Sequence, residues 1–85
     1  MESWYVHIIH FRHDSADEIF LGPCTQEVVK EWLPRNRFKI NEESQTEIRG
    51  SRWITEGKTG LIAIFRTFSI EELDGRTIRE LPRWF

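Results

Sequence analysis

Cysteine is nearly missing from this sequence: Cys24 is the only one in 85 residues. A single thiol forbids an intramolecular disulfide framework, and it fits a reducing, cytoplasmic setting better than secretion. Long hydrophobic runs are missing too. No apolar stretch approaches the roughly 18–20 residues of a membrane span, and no basic-then-apolar leader opens the chain. Charge of one sign is also scarce: twelve Lys/Arg stand against fourteen Asp/Glu, net −2, with a pI near 5.9. That balance lacks the bulk basic signature of a non-specific nucleic-acid binder. Residues 1–43 hold five Lys/Arg and eight Asp/Glu, and residues 44–85 hold seven and six, so neither half is a charged tail. With three prolines, five glycines and no repeat or linker, the chain reads as one small domain over 1–85.

What is abundant is aromatic: 13% of residues, including four tryptophans. Trp4 to Phe11 (WYVHIIHF) is rich in β-branched and aromatic side chains, which suit a pleated surface. Both of its alternating sets, Trp4/Val6/Ile8 and Tyr5/Ile9/Phe11, are largely apolar, so the strand is either covered on both faces or meets a partner on the second. His13 to Asp17 is turn-forming, and Glu18–Leu21 returns as a second strand. Gly22-Pro23 stops it. Thr25 is a helix N-cap signal, and Val28, Val29, Trp32 and Leu33 form one apolar stripe behind it. The residue before a proline is pushed out of the α region, so Pro34 ends a predicted helix over 25–33.

Residues 35–45 are polar apart from Phe38 and Ile40 and read as a connecting loop. Thr46–Thr55 reads as a strand with a bulge at Gly50, and residues 56–60 as a turn. Leu61–Phe68 is a second β-run apolar on both faces until Arg66. Ser69-Ile70-Glu71-Glu72 fits a capping box that opens a short helical turn over 70–74. The expected fold is therefore α+β: a small antiparallel sheet of about four strands in ββαββ order, one main helix on one face, and a short C-terminal helical turn.

Catalytic and cofactor signals are weak. Gly57-Lys58-Thr59 imitates the end of a phosphate-binding loop, but the preceding Gly50 is misplaced and a β-run follows where the loop needs a helix. His7 and His13 share one strand face about 20 Å apart, and His10 takes the other, so a strand cannot gather all three on one metal ion. Cys24, near a helix N-terminus, has a dipole that would lower a thiol pKa, yet no histidine base adjoins it in sequence. Glu42-Glu43 and Glu71-Glu72 are adjacent pairs, read as loop charge and helix capping. The reading is a non-enzyme without cofactor or metal.

The tryptophans and arginines point elsewhere. Trp32 belongs to the helix stripe and the core. Trp4 and Trp84 are placed to tie down the two ends of the chain. Trp53, beside Arg52, is the tryptophan that stability does not explain. Trp and Arg carry much of the binding energy at interfaces, so Trp53, Arg52 and Arg49, with Trp84 and Phe85, are the candidate partner-binding anchors. The functional expectation is a small adaptor or regulator that binds a protein partner through an exposed sheet face or edge. Homodimerisation through an uncovered sheet face is a further option. A runner-up from another class is a single-stranded nucleic-acid binder, with Arg35, Arg37, Lys39, Arg49, Arg52 and Lys58 interleaved with Phe38 and Trp53. A phage or host-defence inhibitor is a third.

Trp4-Tyr5, Phe20-Leu21-Gly22-Pro23 and Phe68-Ser69-Ile70-Glu71-Glu72-Leu73 occur in an order that resembles a family of small cyanobacterial domains of unknown function. In that family an aromatic-pair strand leads through a hairpin to a Gly-Pro-aromatic turn and a helix, and a later strand ends in a Pro-Glu-Glu-Leu-like turn. Cys24 replaces the usual aromatic, Ile70 stands where proline is common, and the family's acidic central stretch is absent from residues 34–50. The resemblance implies a cytosolic, non-enzymatic accessory protein that binds a metabolic or photosynthetic complex.

Overall fold

The computed structural model describes residues 2–54 and 59–85. Two long strands, β1 (Glu2–Phe11) and β5 (Gly60–Ser69), pair antiparallel along their whole length. These are the two runs apolar on both faces, and their pairing places them at the centre of the sheet. Around them stand β2 (Ala16–Leu21), the helix α1 (Gln26–Arg35), β3 (Lys39–Glu43), β4 (Ile48–Trp53), the short helix α2 (Ile70–Leu73) and β6 (Ile78–Arg79). The strand order is β3-β4-β5-β1-β2-β6, antiparallel except for β6, which runs parallel to β2.

The α+β class holds, but the sheet has six strands rather than about four, and ββαββ is not its order. Residues 39–43 form an edge strand instead of a loop. An edge strand needs a ladder on one side only, so a polar sequence with a half-buried Ile40 suffices, and charges there discourage further pairing. The two-residue β6 is held by Phe20 and Gly22 N–H groups donating to the Thr77 and Arg79 carbonyls (both 2.9 Å). The register irregularity lies in β3, between Ile40 and Glu42, opposite the predicted site at Gly50. Gly50 is required for another reason: a Cβ there would stand 3.0 Å from the Lys39 carbonyl oxygen. Thr55 and residues 56–58 of the turn predicted over 56–60, with Gly57-Lys58 of the loop-like motif, lie outside the described residues.

Thr25 caps α1 as its sequence predicts, its hydroxyl accepting from the Val28 N–H (3.3 Å). The helix does not stop before Pro34 but runs through it to Arg35. Pro34 leaves the Lys30 carbonyl without its intrahelical donor, and Lys30 is exposed to water. Leu33 is fully buried, and burying such a side chain contributes about 1.5–3 kcal/mol, enough to hold it in the α region. Val29, Trp32 and Leu33 pack on one sheet face against Val6, Ile8, Leu21, Ile48, Leu61, Ala63 and Phe65. Alternation puts His7, Ile9, Phe11, Ile62 and Ile64 on the other face. The capping box at α2 is present as read: Ser69 accepts from the Glu72 N–H, and Glu72 accepts from the Ser69 N–H.

Candidate functional site

The site forms where the end of α1, the end of β4 and the tail 82–85 meet. Past Arg35 the helix closes with the Phe38 N–H donating to the Leu33 carbonyl (2.8 Å) and the Arg37 N–H to that of Pro34 (2.9 Å). This paired closure puts the residue after the cap in the left-handed region, and Arg37 occupies it with φ 65°. Asn36, the cap itself, is 4% exposed. Its Nδ2 donates to the Trp32 carbonyl (3.0 Å), and its Oδ1 accepts from the Phe85 N–H (2.5 Å). Trp32 Nε1 donates to the Pro82 carbonyl (2.6 Å). Two side chains of the helix end thus hold the tail against it.

Arg52 stands on the helix side of β4, opposite Leu61. Its guanidinium donates to the Asn36 carbonyl (2.8 Å) and to the Phe85 main-chain oxygen (3.4 Å). It also lies 5.1 Å from the Phe38 ring centroid and 5.9 Å from that of Phe85. Burial first, then the charge of Arg37, hold its pKa below the usual arginine value, and it remains charged at neutral pH. Beside it opens a groove of about 540 Å³ lined by Arg35, Arg37, Arg52, Trp53, Ile54 and Trp84, with Asn36 and Phe85 completing the wall. Trp53 is 60% exposed and Trp84 64%. Among the described residues, no Asp or Glu side chain lies within salt-bridge distance of Arg35, Arg37 or Arg52.

Four of the five candidate anchors, Trp53, Arg52, Trp84 and Phe85, therefore meet in one groove. Arg49 is elsewhere. It lies on the opposite face, its Nε donating to Glu47 Oε2 (2.7 Å), beside a smaller hollow of about 260 Å³ near Phe11, Trp53 and Ile62. Trp84 does not pack with Trp4, which instead stacks on Phe65 (5.2 Å). Asn36 and Ile54 carry no signal in the sequence, whose basic-aromatic pattern groups Arg35 and Arg37 with Phe38 instead. Phe38 is 3% exposed and stacks on Trp32, so no ligand ring reaches its face.

The remaining reactive groups are accounted for structurally. Burial pushes the Cys24 thiol up to about 11, opposite to what an activated nucleophile needs. His7 lies flat on Phe20 (4.3 Å between ring centroids) and contacts Glu18 (3.0 Å), and burial lowers its pKa despite that carboxylate. Among the described residues, no three His, Cys, Asp or Glu side chains gather as a metal ion requires, and no helix is long and apolar enough to cross a membrane. No protein-family model, curated protein or solved structure matches the chain.

Proposed function

We propose that this chain is a non-enzymatic adaptor or regulatory domain that binds a protein partner in the Arg35–Arg37–Arg52 groove, and that the bound segment is acidic with an apolar or aromatic residue. One observation carries the reading: three guanidinium groups without Asp or Glu partners among the described residues stand beside two tryptophans exposed by more than half. Guanidinium groups match carboxylates in bidentate geometry. Arg52 is already held by Asn36 and Phe85, so little side-chain freedom is lost when it engages a ligand. Trp53 and Trp84 offer large, stiff surfaces of the kind that dominate binding energy. The family resemblance points the same way, toward an accessory protein acting on an enzyme complex.

A polynucleotide suits this surface less well. The chain carries a net charge of −2, so a strand long enough to leave the groove runs over acidic surface, whereas a short acidic segment stays among the arginines. Fluorescence anisotropy with two labelled probes tests the choice: a ten-residue peptide of alternating Glu and Phe, and oligothymidylate of the same length. The peptide is expected to bind the native chain and to lose at least tenfold in affinity for Arg35→Glu and for Trp84→Ala. Tighter binding of the oligonucleotide, or peptide affinity unmoved by both substitutions, overturns the reading. Capture from the native cell, with Arg52→Ala and Trp53→Ala as controls, then identifies the partner.

A further inference from the structure

Among the described residues, the face of the sheet away from α1 bears no helix of comparable length. At one end His7, Phe20 and Phe68 form an aromatic cluster, closed over by Arg66, which lies 3.9 Å from the Phe68 ring centroid. Toward the other end Ile9, Phe11, Ile62 and Ile64 stand half-buried on open sheet, with Trp53 edge-on to Phe11 at 5.6 Å. None of the four isoleucines and phenylalanines in this open strip joins the core beneath the helix. Contiguous apolar surface of this kind on a small domain marks an interaction site.

We infer that a second copy of this chain covers this face, giving a two-fold symmetric dimer of stacked sheets. Charge argues for that occupant. Arg66 pairs with Glu72 (3.2 Å), Arg76 with Glu18 (2.6 Å) and Arg49 with Glu47 (2.7 Å), and Lys39 and Glu42 on β3 balance each other in number. Among the described residues of this face, four cations are thus matched by four carboxylates. A neutral face whose charges are already mostly paired can meet its own copy without repulsion and offers a charged partner nothing to answer, unlike the groove, which is cationic. A two-fold interface is made from the same patch on both copies, so self-compatibility is its first requirement.

Area argues the same way. The strands β1 and β5 are ten residues each and β2 and β4 six, about 33 Å and about 20 Å long, at about 4.8 Å spacing. Such a face is about 500 Å² per copy, or about 1,000 Å² in the pair, at the lower limit for a specific interface. The dimer is accordingly weak, with dissociation in the micromolar range, and its sheets stack about 10 Å apart with strands aligned to within about 30°. The hollow beside Phe11, Trp53 and Ile62 gives a side chain of the second copy somewhere to seat.

Sedimentation equilibrium from about 10 to about 500 µM, a range that brackets a micromolar constant, tests this. The native chain is expected to shift from monomer to dimer mass across the range. Ile62→Glu is expected to remain monomeric, and Ile9→Thr, which keeps a β-branched side chain, to weaken the dimer at least fivefold. Both variants must retain the native far-ultraviolet circular dichroism and cooperative melting. Arg52→Ala, on the other face, is expected to dimerise normally. A native chain that stays monomeric at the highest concentration overturns the inference. So does a folded Ile9→Thr or Ile62→Glu variant that dimerises as the native chain does, or loss of the dimer on Arg52→Ala alone.

Discussion

Asn36→Ala tests whether the groove is built by its own tail. The side chain makes two hydrogen bonds, one to the Trp32 carbonyl and one from the Phe85 N–H. The Trp32 carbonyl also accepts from the Asn36 main-chain N–H (3.0 Å), so it is not orphaned by the substitution. The Phe85 N–H regains water, because Phe85 is 38% exposed. Neither loss therefore carries a full burial penalty, and each is about 1 kcal/mol, giving about 2 kcal/mol in all. For a domain of this size that lowers Tm by about 8–16 °C. The loss is coupled to the tail. In a chain ending at Arg83, which lacks the Phe85 partner, Asn36→Ala is expected to cost only about 1 kcal/mol, the remaining half appearing as the coupling between the two changes. Urea denaturation of the four species measures this, and tryptic cleavage after Arg83 reports release of the tail directly. A loss below about 0.5 kcal/mol in the full chain, together with an unchanged cleavage rate, refutes the account of Asn36 as the latch.

Three more outcomes follow from the same contacts. Arg37→Gly keeps the left-handed conformation but removes its cost to an L-residue, about 1–2 kcal/mol, and adds about 0.4–1 kcal/mol of unfolded-state entropy. It should raise stability by about 0.5–1 kcal/mol in urea denaturation while weakening binding of the Glu-Phe peptide. Gly50→Ala forces a Cβ to within 3.0 Å of the Lys39 carbonyl, which should cost about 1–3 kcal/mol and raise hydrogen exchange along β3 before the rest of the sheet. The folded-state pKa of His7 lies below its unfolded value, so the unfolded chain binds the proton more readily. Stability is then intact above pH about 6.5 and falls as the pH drops below it, and His7→Gln should flatten the slope of unfolding free energy against pH below about 6.5.

Local signals explain the elements that were legible. Thr25 with its apolar stripe, the Ser69–Glu72 capping box, the Gly22-Pro23 stop and the two doubly apolar runs all act within a few residues of themselves, and each appears where it was read. The edge strand β3 and the parallel β6 were not legible, because a strand that pairs on one side only needs no apolar alternation. Pro34 misled for the opposite reason. Its local preference was real, but the buried Leu33 and the hydrogen-bonded closure behind it outweighed that preference.

The α+β class, the two strands apolar on both faces, and the places of Trp32 in the core and Trp53 at the surface are legible in the order of residues along the chain. Those follow from hydrophobic periodicity and capping chemistry, which are written in neighbouring residues. That Arg35, Arg37, Arg52 and Trp84 face one groove, and that Arg49 does not, emerges only in the folded chain. Their convergence depends on a buried asparagine 49 residues from its partner in the tail and on the pleat that sends Arg49 and Arg52 to opposite faces of one strand. Residue types and short spacings carry no record of such long-range closure.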